Sequence, residues 1–174
     1  SHDVVRYGSA MALAELVLRF SPAEPHPENF ALLAMLLDRL ASVDAPLLPM
    51  VSLGALWAVV GALGFAPALD HCAEDGSPIG SGAADFSVAD GGFVCSRCAG
   101  SRETARLDAA DRDILESFVR QGNGIAESDE RSLSPRHAAA HRRLLSRFIR
   151  LHVAEGRDLK ALDFWQNLAW PGTS

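Results

Sequence analysis

Residues 71–98 read HCAEDGSPIGSGAADFSVADGGFVCSRC. Cys95 and Cys98 form a C-x₂-C pair at the end of this stretch, the spacing at which two thiolates face one tetrahedral metal ion. Cys72 opens the same spacing, but Asp75 stands where a second cysteine would complete a zinc site built from two such pairs. Nineteen residues separate Asp75 from Cys95, as in zinc sites of that kind. The stretch is therefore typical of a zinc ribbon in which one ligand has been exchanged.

The donor set leaves two interpretations open. A carboxylate oxygen is an accepted zinc ligand, so Cys72, Asp75, Cys95 and Cys98 are predicted to form a Cys₃Asp zinc site. His71 is the other candidate for the fourth ligand. In the second interpretation the metal has been lost, and the three thiols pack as small apolar groups. A disulfide between Cys95 and Cys98 is disfavoured in a reducing compartment.

The middle of the stretch is predicted to be a β-hairpin. Phe86 and Val88 alternate with polar neighbours, which is the pattern of a half-buried strand. An Asp-Gly-Gly turn at residues 90–92 precedes a second apolar pair, Phe93 and Val94. Such a hairpin would deliver the second cysteine pair to the metal site.

Composition restricts the class of protein. The 174 residues can bury a sizeable core, and 48% are hydrophobic, which excludes a disordered chain. No secretory signal pattern is present, and three cysteines, an odd number, argue against a secreted disulfide scaffold. We therefore expect a cytoplasmic protein. The net charge is −6, yet residues 131–160 carry eight basic residues against two acidic ones, which indicates a localised anion site.

Residues 45–69 contain no charged residue over 25 positions, long enough to suggest a transmembrane helix. Prolines and glycines interrupt the segment, however, and leave an uninterrupted helix over about residues 49–63. That helix would span roughly 22 Å, which is shorter than a hydrocarbon core of about 30 Å. We predict a core helix and no membrane partner.

The remaining pattern predicts a mainly α fold, a helical bundle with a small zinc-ribbon-like β-hairpin insert. Residues 3–69 are the predicted first part of the helical domain, residues 70–100 the insert, and residues 101–170 the second part. The apolar helix at residues 30–40 is expected in the middle of the bundle. Residues 121–131 are an expected exposed loop. Further helices are predicted at residues 4–20, 108–122, 134–153 and 159–168.

A family resemblance rests on three parts of the sequence. Residues 63–72, LGFAPALDHC, and residues 91–98, GGFVCSRC, resemble the two halves of the zinc segment of RecO, a family of bacterial recombination mediators. Residues 142–149, RRLLSRFI, and 156–162, GRDLKAL, are similar to its closing helices. The resemblance covers about residues 4–168. RecO proteins begin with an OB-fold domain, which nothing here resembles, and Asp75 replaces one cysteine of the family's metal site.

The resemblance implies a function in DNA repair and homologous recombination. RecO binds single-stranded DNA, anneals strands, and with RecR helps to load RecA onto DNA coated by single-strand-binding protein (SSB), whose acidic C-terminal tail it docks. A net charge of −6 disfavours strong DNA binding by this fragment alone. No catalysis is implied. The alternatives are a helical protein-interaction module with a structural zinc finger, unconnected with DNA, and a metal-dependent enzyme with an open fourth position at the three cysteines.

The long basic helix is the candidate binding surface. Arg136, Arg143, Arg147 and Arg150 fall on one stripe of the predicted helix, with few acidic residues near them in sequence. Arginine side chains beside an apolar edge suit an acidic peptide tail, and DNA phosphate is the second candidate ligand. In the same helix, His137 and His141 are one turn apart, and without a third ligand in the pattern we expect surface histidines.

Overall fold

The computed structural model describes residues 2–120 and 132–170. Over these residues the chain has seven α-helices and one three-stranded antiparallel sheet, which confirms a mainly α fold with a small β insert. The predicted loop at residues 121–131 lies outside the described residues. The helices are α1 (His2–Phe20), α2 (Pro27–Ser42), α3 (Leu48–Ala62), α4 (Ser96–Ala99), α5 (Ala109–Arg120), α6 (Pro135–Phe148) and α7 (Lys160–Asn167).

Helix α3 is the centre of the core. Every residue from Leu48 to Val60 is buried, and α1, α2, α5 and α6 pack against it. By length and composition the segment Ala45–Ala62 could cross a membrane, but 72% of it is buried inside the protein. A helix that is apolar on all sides needs neighbours on all sides, and here other helices supply them. The structure thus uses this segment as the predicted core helix.

Helix α2 differs from its prediction. Its buried residues are Asn29, Leu36 and Leu40, whereas Phe30 and Met35 are 51% and 43% exposed. The expectation that this helix lies in the middle of the bundle is wrong. Because the charge-free α3 can be buried on every side at lower cost, α3 takes the centre and α2 covers one flank.

The predicted helix ends are supported by local contacts. Asp108 Oδ1 accepts the Asp111 N–H at 2.8 Å before α5, and Ser134 Oγ accepts the His137 N–H at 3.4 Å before α6. Gly64, two residues after the last residue of α3, has a φ of +93°, the left-handed conformation that ends many helices. Helix α6 continues as a π-helical turn, Ile149–Val153.

The insert contains the sheet, in the order β2-β1-β3. The predicted hairpin is formed by β1 (Ala84–Ser87) and β2 (Gly92–Val94), with Phe86 opposite Phe93. The third strand, β3 (Ala105–Leu107), pairs with the other edge of β1. It was not predicted, because three residues with an arginine in the middle carry no strand pattern. The sheet therefore extends beyond residue 100. We call residues 70–100 the finger.

The finger shares its core with the helices. Phe86 and Phe93 are fully buried, and their ring centroids lie 5.4 Å apart in an edge-to-face arrangement. Phe86 also lies 6.3 Å from Phe148 of α6, whose ring in turn contacts Trp57 of α3 at 5.1 Å. This packing fixes the finger against the helical bundle.

Candidate metal centre and basic cleft

Two tight turns present the predicted ligands. The Gly76 N–H donates to the Cys72 carbonyl at 2.9 Å, and Gly76 has a φ of +73°, so the chain reverses directly after Asp75. In the second turn, the Ala99 N–H donates to the Cys95 carbonyl at 2.9 Å and closes α4. Each turn therefore places its first and fourth residues on the same side of the backbone.

The two turns bring the four donors together. One oxygen of Asp75 and the sulfur atoms of Cys72, Cys95 and Cys98 all lie within 4.8 Å of one another. Zinc binds sulfur at about 2.3 Å and oxygen at about 2.0–2.2 Å, so the donors of one tetrahedral ion lie roughly 3–4 Å apart. A small inward movement of these side chains would meet that requirement. His71 is exposed and does not belong to this group.

Asp75 uses its two carboxylate oxygens differently. Oδ1 accepts hydrogen bonds from the Ser77 N–H at 2.9 Å and the Ser77 hydroxyl at 2.6 Å. Oδ2 faces the thiols of Cys95 and Cys98, at 3.5 and 3.4 Å, and accepts an Arg97 N–H at 2.5 Å. The Ser77 hydroxyl and amide, followed by the Arg97 guanidinium, hold the pKa of Asp75 well below its ordinary range. The carboxylate is therefore ionised, as a metal ligand must be.

The pKa values of the two thiols in the C-x₂-C pair are shifted in opposite directions. Burial, followed by hydrogen bonding with Cys95 and Asp75, raises the pKa of Cys98 to about 12. The backbone N–H of Cys98 is the main cause that lowers the pKa of Cys95. Because metals bind thiolates, a metal ion entering this group would have to displace the proton of Cys98.

Two arginines that the sequence analysis did not single out hold the finger in shape. Arg102 bridges Glu74 of the first turn, at 2.8 Å, and Asp90 of the hairpin turn, at 2.7 Å. Arg112 of α5 is buried and donates to the carbonyls of Gly80 and Gly82, at 2.5 and 3.1 Å. Neither arginine has a spacing that marks it in the sequence.

Two of the four arginines of the predicted stripe line a cleft. Arg143 and Arg147 of α6, with Arg106 of β3, line a cleft of about 310 Å³ between α6 and β3. Arg136, in the first turn of α6, and Arg150, in the π-helical turn, do not line it. The other lining residues are Ala105, Leu107, Asp111, Ala140, His141 and Leu144.

The expectation that the stripe has few acidic partners is wrong for two of its arginines. Arg147 pairs with Glu103 at 2.6 Å, and Arg150 pairs with Asp163 of α7 at 2.6 Å. Both acids are distant in sequence and approach only through the fold. Within residues 2–120 and 132–170, no carboxylate lies within 4.0 Å of Arg136 or Arg143.

The expectation of surface histidines is wrong for His141, which is 2% exposed. Asp111 Oδ1 lies 3.0 Å from His141 Nε2 and 2.5 Å from His137 Nδ1, so one carboxylate holds both rings. Burial lowers the pKa of His141, and Asp111 partly opposes this shift. The residue that the sequence analysis missed is Asp111, in the first turn of α5. Only the packing of α5 on α6 brings it near the two histidines.

Apolar side chains cluster on a second surface. Trp165 and Trp170 are buried, whereas Phe164 of α7 is 45% exposed. Together with Tyr7 and Leu18 of α1, Phe164 lines an open groove of about 440 Å³ between the two helices. Clustered exposed apolar side chains are typical of contact surfaces.

Fold and site together define a class of protein: a helical domain with an inserted finger that presents a Cys₃Asp donor group. The chain belongs to the family described as Recombination protein O C terminal, whose model matches residues 1–162. This confirms the family resemblance seen in the sequence.

Curated relatives of this chain bear the name DNA repair protein RecO, among them three from different genera. That of Anaeromyxobacter sp. (strain K) is 36% identical over 161 residues, which is 90% of this chain and 59% of that protein. The protein of Roseiflexus sp. (strain RS-1) is 32% identical over 164 residues, covering 93% and 56%. That of Myxococcus xanthus (strain DK1622) is 36% identical over 141 residues, covering 81% and 53%. The chain thus spans less than two thirds of the length of these relatives.

Proposed function

We propose that this chain is the helical and finger part of a RecO-like mediator of DNA repair and homologous recombination. Family membership supports the role in repair, since the matched relatives are named as DNA repair proteins. In the complete protein this part would recruit SSB and RecR and support RecA loading and strand annealing. Single-stranded DNA would bind weakly to this part alone, because its net charge is −6.

The recruiting site that we propose is the cleft between α6 and β3. The observation that carries the proposal is an apolar floor, including Leu107 and Leu144, edged by Arg106, Arg143 and Arg147. The acidic and apolar residues of an SSB tail match such a cleft, because guanidinium groups bind carboxylates and the floor binds the apolar end.

The ion pair between Arg147 and Glu103 does not prevent this binding. Arg147 and Glu103 are 56% and 80% exposed, and an exposed pair contributes at most about 1 kcal/mol. Carboxylates of a peptide tail can therefore replace Glu103. Arg136 and Arg150 lie outside the cleft, and we propose that they provide the weaker contacts to DNA phosphate.

The test is a double charge reversal, Arg143→Glu with Arg147→Glu. Affinity for a fluorescently labelled SSB-tail peptide should fall more than tenfold, measured by fluorescence anisotropy, because two attractive charges become repulsive. Arg19→Glu with Arg157→Glu is the matched control, with the same change in net charge at residues that lie against Phe20. If the cleft variant keeps its affinity, or the control loses as much, the cleft is not the site.

We propose a structural zinc ion in the finger, bound by Cys72, Asp75, Cys95 and Cys98. The donor chemistry supports this, since four protein ligands make a closed site of the structural type. A bound zinc ion would tie the two turns of the finger together. A metal-dependent enzyme would need an open fourth coordination position beside the three cysteines. The Asp75 carboxylate lies beside Cys95 and Cys98, where that open position would be.

Family membership also favours the mediator over an interaction module unconnected with DNA. The two differ in one measurable property. The mediator should retain SSB from solution through its acidic tail, whereas the unconnected module should not, and pull-down with tail-deleted SSB as the control separates them.

A further inference from the structure

The contacts of Asp75 raise the question of why a carboxylate can replace a cysteine here. In a cysteine turn of this type, one sulfur atom both binds the metal and accepts backbone N–H groups. A carboxylate has two oxygens and a longer side chain, so it can rotate, or bind a metal through both oxygens. A tetrahedral Cys₃Asp site requires that only one oxygen be available.

Ser77 meets this requirement. Its N–H and its hydroxyl both donate to Oδ1, at 2.9 and 2.6 Å, so that oxygen is occupied. Oδ2 is left facing Cys95 and Cys98. The positive φ of Gly76 turns the chain so that Ser77 returns over the Asp75 side chain.

We propose that Ser77 is a positioning residue of the metal site: it fixes Asp75 as a ligand through Oδ2 alone, in the place of a fourth cysteine. This inference rests on the proposed zinc finger and goes beyond it, because it assigns a role to a residue that is not a ligand. The ion expected is a divalent cation that accepts tetrahedral sulfur and oxygen ligands, such as Zn²⁺ or Co²⁺.

Arg97 completes the arrangement. Three thiolates and one carboxylate around a divalent cation leave an excess of negative charge. Arg97, 2.5 Å from Oδ2, offsets part of that charge, and an oxygen with two lone pairs can accept its N–H and bind a metal as well. The side chain of Arg97 is 80% exposed, so its contribution is smaller than that of Ser77.

The role of Ser77 depends on the presence of Asp75. With cysteine at position 75, one sulfur would bind the metal and accept the backbone N–H, and the Ser77 hydroxyl would lose its purpose. Ser77→Ala should therefore weaken metal binding in the natural chain and have little effect beside Asp75→Cys. This non-additivity distinguishes positioning of Asp75 from a general effect on folding.

The experiment titrates Co²⁺ into the reduced chain and its variants and then displaces it with Zn²⁺ in competition with a chromophoric chelator. We expect Ser77→Ala to weaken Zn²⁺ binding by about 10- to 100-fold, as is usual when a partner of a metal ligand is lost. Ser77→Thr, which keeps a hydroxyl, should remain close to the natural chain. Ser81→Ala is the matched control, an exposed serine in the same loop.

The outcomes separate the two proposals. If the natural chain binds no Co²⁺, both the proposed zinc site and the proposed role of Ser77 are overturned. If the natural chain binds and Ser77→Ala binds as tightly as Ser81→Ala, only the role of Ser77 is overturned. The same holds if Ser77→Ala weakens binding equally beside Asp75→Cys. The thiolate-to-Co²⁺ absorption should be equal in Ser77→Ala and the natural chain and stronger in Asp75→Cys, which adds a fourth thiolate.

Discussion

Arg112 shows how a single side chain joins the finger to the helices. Its guanidinium donates to two glycine carbonyls of the finger, pairs with Glu116 of its own helix at 2.8 Å, and lies 5.1 Å from the centre of the Phe93 ring. A buried cation is costly unless its donors are satisfied, and here finger and helix satisfy them together.

Arg112→Met should therefore lower the free energy of unfolding by roughly 2 kcal/mol, since hydrogen bonds from a charged group are lost while the apolar part of the side chain is kept. Arg106→Met is the matched control. Arg106 also pairs with an acid, Asp85, but it is exposed, so its loss should cost less than about 1 kcal/mol. Urea denaturation measures both, and equal losses would contradict the role of Arg112.

His141 makes a prediction about pH. Its pKa is lowered in the folded chain by burial, so the unfolded chain binds a proton more readily. Stability that is fully present above the ordinary histidine pKa, about 6.5, should be lost as the pH falls below it. Asp111 and His137 face this ring, and Asp111 reduces the effect without reversing it.

The check is the free energy of unfolding between about pH 7.5 and about pH 5, a range that brackets the ordinary histidine pKa. His141→Asn should flatten the dependence, whereas the exposed His71, changed to Asn, should leave it as it is. An unchanged slope in His141→Asn would show that other groups cause the loss.

At the scale of single residues, the sequence predicts which metal-binding side chains lie together better than it predicts which residues form ion pairs. Spacing alone placed Asp75 with three cysteines, because turn geometry is local. Glu103 and Asp163, which pair with Arg147 and Arg150, are distant in sequence, and no local pattern relates an acid to a base across 44 or 13 positions.

Alanine substitutions at Gly92 of β2 and Gly61 of α3 are expected to change stability in opposite directions. A Cβ at Gly92 of β2 would meet the backbone of Ala68, 2.7 Å from its nitrogen. Ala68 also bonds to this strand through the Phe93 N–H, at 2.9 Å, so neither chain can move away without losing hydrogen bonds. Gly61 of α3, by contrast, has open space around it.

Gly92→Ala should destabilise the chain by about 1–3 kcal/mol, the usual cost of overpacking. Gly61→Ala should stabilise it by roughly 0.5–1 kcal/mol, because alanine loses less conformational freedom in a helix. Thermal melting followed by circular dichroism gives both values. A neutral Gly92→Ala would mean that the contact between Ala68 and β2 does not hold the finger.

The elements themselves were mostly predictable, since their apolar periods and end residues are local signals. Helices α1, α3 and α7 begin and end within about two residues of their predicted bounds. The position of α2 in the bundle was not predictable, because periodicity shows that a face is apolar but not which of two apolar helices takes the centre. Strand β3 depends on pairing with β1 and has no pattern of its own.

At the scale of the whole molecule, finger and bundle form one core. Phe86 and Phe93 belong to the same buried cluster as Trp57 and Phe148. His152, in the π-helical turn after α6, lies 2.6 Å from the Val88 carbonyl of the hairpin. The helices after the finger therefore contact it directly, and α3, before the finger, shares the same buried cluster. The predicted boundaries of the finger, at residues 70 and 100, remain a prediction. Because finger and bundle share one core, the test is whether they unfold together in one cooperative transition.

Removal of the metal should therefore lower the thermal stability of the entire chain. If zinc binds the folded finger and not the unfolded chain, chelation removes a stabilisation of about 2.7 kcal/mol at a free zinc concentration a hundred times the dissociation constant. Because Phe86 and Phe93 complete the core around Phe148, we expect one calorimetric transition that moves to lower temperature, not two transitions. Cys98→Ser, which lacks a ligand, should not respond to the chelator. A separate low-temperature transition that alone depends on zinc would instead make the finger an independent unit, joined to the helices only by contacts too weak to couple their unfolding.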